Sequence, residues 1–118
     1  MHMFYTNMPL YLKLVKLLKF EYCVARNIPK EYKYTLGQDI INRSWELLDL
    51  FILAQTSDPR EKEKKIATIN KMDIGFECLK PRIRFLTELD LISIGQTAVL
   101  LESMVEIGKM IGSWTKNA

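Results

Sequence analysis

Catalysis needs a nucleophile, a base or a set of metal ligands, and this sequence of 118 residues offers little of each. His2 is the single histidine. Ser44, Ser57, Ser93, Ser103 and Ser113 stand in no recognisable nucleophile context. Glycine-rich phosphate loops and dinucleotide fingerprints do not occur. Carboxylates fall mostly at helical spacing from basic partners, as Glu77 does from Lys80, and such pairs read as surface ion pairs. Cys23 and Cys78 are far apart, and there is no Cys-x-x-Cys. The expectation is two small apolar fillers in a reducing compartment rather than a disulfide or a reactive thiol. No carboxylate cluster that could serve as a metal site is visible in the sequence. These residues predict a protein that is not an enzyme and uses no metal or cofactor.

What remains is positive charge, and its placement matters more than its total. The net charge is +3, yet residues 1–34 hold six basic and two acidic residues while the rest nearly balances. Lys13, Lys16, Lys19 and Arg26 fall on one arc of the first predicted helix. Lys80, Arg82 and Arg84 form a second cluster, in which Lys80 and Arg84 are four apart. Such clusters bind phosphates through charge and counterion release without reading sequence. Lysines on a helix face also serve solubility alone, so charge by itself leaves RNA and DNA as candidates only.

Four helical segments must position these groups. The first is expected over about 8–27, with Pro9 in its first turn and Leu10, Leu14, Leu17, Leu18 and Ala25 on one arc. Tyr11, Val15 and Tyr22 lie beside that arc. Asn27-Ile28-Pro29 ends it. The second is expected over about 30–55, with Leu36, Ile40, Leu47, Phe51 and Ala54 inward and Ile41, Trp45, Leu48 and Ile52 widening the stripe. The third is expected over about 58–88. Asp58 is its predicted N-cap, Pro59 its first residue and Glu61 its capping-box partner. Ile66, Ile69, Phe76, Leu79, Ile83 and Leu86 are its core candidates. Pro81 lies inside this pattern and predicts a kink in one continuous helix. Ser93 with Gln96 reads as a capping box for a fourth helix over about 93–115. Short connections between long amphipathic helices imply an all-α, up-down-up-down antiparallel four-helix bundle, a single domain over residues 1–118.

The fourth helix carries two apolar stripes. Ile94, Thr97, Ala98, Leu101, Met104, Val105 and Gly108 have core spacing. Val99, Ser103, Ile107, Met110 and Trp114 lie nearly opposite. A helix apolar on two faces is shared with another chain when the bundle has no central position for it. Val99, Ile107, Met110 and Trp114 are therefore the expected oligomer interface, with Gly108 and Gly112 allowing close backbone approach. The longest apolar runs are short of a membrane span, and no secretory pattern is present, so a cytoplasmic protein without a membrane partner is expected.

Three segments resemble a known family, and the resemblance covers nearly the whole chain. "YTLGQDIINRSWELLDLFILA" resembles the second helix of the accessory variability determinant (Avd) proteins of diversity-generating retroelements, where Leu-Gly-Gln opens a long apolar helix. "LDLISIGQTAVLLESMVEIGKMIGSWTK" is similar to that family's last helix, with Ile107, Gly108, Lys109, Met110, Ile111, Gly112 and Trp114 on its closing element. "ECLKPRIRFL" is similar to a segment with basic residues four apart, onto which Lys80 and Arg84 fall. Pro81 and Asp39 depart from the pattern. The four-helix arrangement is also shared with proteins encoded in 23S rRNA intervening sequences. The resemblance implies a homopentameric barrel of four-helix bundles. It also implies reverse transcriptase and template RNA as partners in mutagenic complementary DNA synthesis. The other expectation is an oligomeric scaffold for protein–protein interaction, of the intervening-sequence kind, without a nucleic-acid role.

Overall fold

A computed structural model describes residues 2–117, with side chains described from Tyr5 onward. A short 3-10 turn, His2–Asn7, leads into α1, Pro9–Ala25. The next helix, α2, is composite: one α-turn at Lys30–Tyr32, a π-helical turn at Lys33–Gly37, then α-helix over Gln38–Gln55. The long α3 spans Lys62–Glu88, and α4 spans Ile94–Asn117. No strand occurs among the described residues.

Cross-helix contacts fix the topology. Glu21 and Tyr22 of α1 meet Ser44 and Trp45 of α2, while Tyr11 meets Phe51. Arg82 meets Asp39, and Gly75 lies beside Leu47. Thr87 bonds Thr97, and Gly108 lies beside Phe76. Lys13 pairs with Glu106. From Tyr11–Phe51 to Glu21–Ser44, from Gly75–Leu47 to Arg82–Asp39 and from Phe76–Gly108 to Thr87–Thr97, one residue number rises as the other falls, so neighbours run antiparallel. Contact between α1 and α4 closes the four helices into a bundle. The molecule is a rod of 47 × 22 × 21 Å with a radius of gyration of 15.0 Å. A globular chain of this length has about 13.5 Å. The elongation follows from helix length: the 27 residues of α3 rise roughly 40 Å.

The core runs along the rod axis. Leu14, Leu17, Leu47, Phe51, Ile69, Met72, Phe76, Leu79, Ile83, Leu100, Met104 and Ile107 fill it. Large aliphatic and aromatic side chains buried to this extent contribute roughly 1.5–3 kcal/mol each. At Gly75 a Cβ would come 3.2 Å from Leu47 Cδ2, so the absent side chain lets α2 and α3 approach.

The helix ends show which local readings hold. Ser93 N–H donates to Gln96 Oε1 at 2.9 Å, and Gln96 N–H donates to Ser93 Oγ at 3.0 Å, which is the reciprocal capping box. Pro81 lies within a continuous α3. It has no N–H for the Glu77 carbonyl, and the Arg82 guanidinium reinforces the same turn by donating to the Cys78 carbonyl at 2.7 Å. The start of α3 differs from expectation. Asp58 accepts from Arg60 N–H at 2.9 Å and ties its guanidinium, so Asp58 and Pro59 form a separate turn. The helix then begins at Lys62.

The largest correction concerns α4. Its buried residues are Leu100, Met104, Ile107 and Ile111. Ile94 is 89% exposed, and Ala98 and Val105 also face outward. The buried line runs between the two expected stripes: Met104 comes from the one expected in the core, Ile107 from the one expected at a subunit contact, and Leu100 and Ile111 from neither. Bulk decides it. Trp114 reaches Phe51 with ring centroids 5.2 Å apart, and Ile107 and Ile111 bury more apolar area than Ala98 or Gly108 could. Gly108 lies against Phe76, where a Cβ would be in ordinary contact with Cε2 at 3.5 Å, while Gly112 faces open space, so neither is needed for close backbone approach within the bundle. Both cysteines are free and exposed, contrary to the filler expectation, because each falls on the outer arc of its helix.

Candidate nucleic-acid interface

The basic residues of α1 occupy two settings. Lys16, Lys19 and Arg26 are exposed, and among the described residues none is in an ion pair. They recur at steps of three and seven, so one outer face of α1 carries them together. Lys13 sits a quarter-turn away, half-buried, with Nζ 3.0 Å from Glu106 Oε1. It closes one wall of a cleft of about 520 Å³ between α1 and α4, floored by Leu17, Phe20 and Val99, with Lys16 and Lys19 also on its lining. Its charge is committed to α4, so three of the four α1 cations remain available to a polyanion.

The α3 cluster divides. Lys80 is half-buried, 2.6 Å from Glu77 Oε1, with its ammonium 5.4 Å above the Phe76 ring. Arg84 lies one turn on, exposed and without an ion pair among the described residues. Arg82 points to the opposite flank and reaches α2. Its Nε donates to Asp39 Oδ2 at 2.8 Å, and Arg43 holds the same carboxylate at 3.1 Å. Partial burial pushes the Asp39 pKa up, but the hydrogen bonds from Arg82 and then Arg43 outweigh it and hold it below the ordinary value of 3.8. Arg82 therefore staples α2 to α3 and is not presented alongside Lys80 and Arg84.

The residues expected at an oligomer contact are scattered by the fold. Val99 is exposed in the α1–α4 cleft. Met110 is half-buried against the core, and Trp114 is held between Phe51 and the Lys65 ammonium, 5.9 Å from its ring. Ile107 is 0% exposed and has no surface left to offer a second chain.

Two features escaped the sequence reading. Glu21 is buried, with Oε2 accepting from Ser44 Oγ at 2.8 Å and Oε1 without a hydrogen-bond partner. Desolvation pushes its pKa from 4.5 up to about 8, against the lowering bond from Ser44. The signal was present: Leu14, Leu17, Leu18, Glu21 and Val24 all fall at core spacing. The second is an exposed aromatic pair. Trp45 Nε1–H donates to the Tyr22 hydroxyl at 2.9 Å across α1 and α2, with Trp45 44% and Tyr22 46% exposed. Trp45 had been placed at the edge of the core.

Among the described residues no His, Cys, Asp and Glu group could hold a metal ion, and no helix is long and apolar enough to cross a membrane. A family profile described as bAvd-like matches residues 9–118. A search of curated proteins finds no match.

Proposed function

Because the chain belongs to the bAvd-like family, and is thus an accessory protein of the retroelement kind, we propose that it binds nucleic acid and a reverse transcriptase without doing chemistry itself. In this reading it is the cytoplasmic accessory factor of a diversity-generating retroelement. It assembles as a homo-oligomer, a pentamer by family, and holds template RNA and its complementary DNA during mutagenic synthesis. The observation that carries the reading is the outer face of α1, where Lys16, Lys19 and Arg26 stand exposed and unpaired. Cations already neutralised by neighbours, such as Lys13, Lys80 and Arg82, release fewer counterions and add less. Arg84 supplies a further open charge on α3.

A titration of labelled hairpin RNA and of DNA tests it. The wild type should bind both, and affinity should fall steeply between about 50 and 200 mM salt, as counterion release requires. A Lys16→Glu, Lys19→Glu, Arg26→Glu variant should keep its helix content and lose affinity for both polymers together. A Lys80→Glu variant should lose less. A second reading, a scaffold for protein–protein contact of the intervening-sequence kind, is favoured by the exposed apolar residues Ile74, Phe85, Ile94 and Val105. It takes over if the wild type binds neither polymer nor the polymerase.

A further inference from the structure

We infer that the edge between α1 and α2 is a single-strand site, where unpaired bases stack on Trp45 and Tyr22 while the phosphates follow Lys16, Lys19 and Arg26. The inference rests on the nucleic-acid reading above and narrows it to one form of the polymer and one place. Trp45 and Tyr22 satisfy each other's polar atoms through the bond of 2.9 Å, so neither hydroxyl nor indole N–H needs another partner. Their remaining surface is ring, and close to half of each side chain stays open. Among the described residues neither ring is stacked on another ring or covered by a cation. Exposed flat rings beside unpaired cations are what sequence-tolerant single-strand binding uses, since every base has a π-face.

The charges give the strand an orientation across the groove. Lys19 lies three residues before Tyr22 and Arg26 four after it, one turn to either side on the same flank. Lys16 extends the row to roughly 15 Å along the helix, on the side of α1 that also lines the α4 cleft. On the α2 side the exposed charged groups are Glu46, adjacent to Trp45, and Asp49, one turn further on, with the neutral Asn42 one turn before. Both carboxylates repel phosphate. The backbone is therefore confined to α1, and the bases turn toward α2 and its indole. A duplex keeps its base faces paired and stacked inside, so it can use the lysines but not the rings.

Trp45 and Trp114 are the two tryptophans, and Trp114→Phe keeps a ring against Phe51. In that background Trp45 is the sole indole reporter. A thymidine or uridine oligomer of about 12 nucleotides, within usual single-strand site sizes, should quench its emission. A Trp45→Leu change should weaken single-strand binding roughly tenfold, in the range of one lost base stack, and leave binding of a blunt duplex unchanged. Trp45→Phe should restore most of the loss, which separates ring stacking from damage to the fold. Oligomer binding that leaves Trp45 emission unaltered would overturn the inference, as would equal losses for strand and duplex in Trp45→Leu. So would a fall in assembly mass caused by Trp45→Leu, since the rings would then face a second copy. If the wild type binds no nucleic acid, both this site and the broader proposal fail. If it binds while Trp45 stays silent, this site alone fails.

Discussion

A carboxyl group buried among aliphatic side chains must give up water, and Glu21 recovers one hydrogen bond for it. Val24, Ile28, Ile40, Ile41, Ile83, Leu86 and Leu100 line the small cavity beside it, and Ser44 is its one polar partner. The folded-state pKa of about 8 lies above the ordinary 4.5, so the folded chain binds the proton more tightly than the unfolded chain. The contribution of Glu21 is therefore full below pH 4.5 and falls as pH rises toward 8, where the loss levels off. Asp39 and Asp58, both held below 3.8, lose their contributions only as pH falls under that value, so they do not enter this window. Denaturant melts from about pH 5 to about pH 8 should show wild-type stability dropping by the order of 4 kcal/mol, at 1.36 kcal/mol per pH unit. Glu21→Gln should be nearly flat over that range; a slope matching the wild type would place the titrating group elsewhere. Asp90 offers a second test at this scale. It sits at φ 57°, just past α3, where its N–H reaches the Thr87 carbonyl and Leu91 N–H reaches the Leu86 carbonyl. That pattern is a Schellman motif with aspartate in the position glycine prefers. Asp90→Gly should raise the melting free energy by about 0.5–1 kcal/mol, and a loss would show that the carboxylate has a role no contact reveals.

Within single elements, stripe direction decided what could be read in advance. On α1, α2 and α3 one arc is richer in large aliphatic residues than any other, and Leu14, Leu17, Leu47, Phe51, Phe76 and Ile83 were legible as core from spacing alone. On α4 the two arcs nearly match in apolar count, and the buried line falls between them, on Leu100, Met104, Ile107 and Ile111. That placement depended on partners far away in sequence: Phe51 packs on Trp114 from one arc, and Phe76 lies beside Gly108 from the other. The same non-local dependence hid the Arg82–Asp39 staple and the burial of Glu21, since each needs the register between two helices. The basic face of α1 was legible because it needs only one helix, and Lys13 was lost from it because Glu106 comes from another. The assignment of stripes is open to direct measurement. Ile107→Ala should cost about 2–5 kcal/mol, the range for a fully buried aliphatic truncation. Val105→Ala, on the outer stripe, should stay within about 0.5 kcal/mol. Comparable losses for the two would mean that Val105 is covered in the assembled protein.

At the scale of the molecule, exposed apolar residues line up along the outer faces of two helices. Ile74, Cys78, Pro81 and Phe85 follow one another at steps of four, three and four along the outer face of α3, all exposed, with Ile74 at 65%. Ile94, Ala98 and Val105 form a comparable outward stripe on α4. Contiguous apolar patches on soluble chains mark contacts, and identical chains meet through closed symmetry. These stripes, rather than the Ile107–Trp114 side of α4, are the surfaces we propose for self-assembly. Light scattering at micromolar concentration should give a multiple of the 13.8 kDa chain mass for the wild type. An Ile74→Lys, Phe85→Glu variant should give a smaller assembly or a monomer while keeping its helix content, because neither side chain fills the core. Assembly also bears on binding. In the proposed assembly Lys16, Lys19 and Arg26 would recur in every subunit, so one long strand could engage several copies and gain avidity without any new contact. The dissociated variant should therefore keep its affinity for a short oligomer, which needs a single α1–α2 edge, and lose affinity for a long RNA by tenfold or more. A variant that stays assembled would move the interface off these stripes. One that dissociates yet binds long RNA as tightly as the wild type would show that each bundle acts alone.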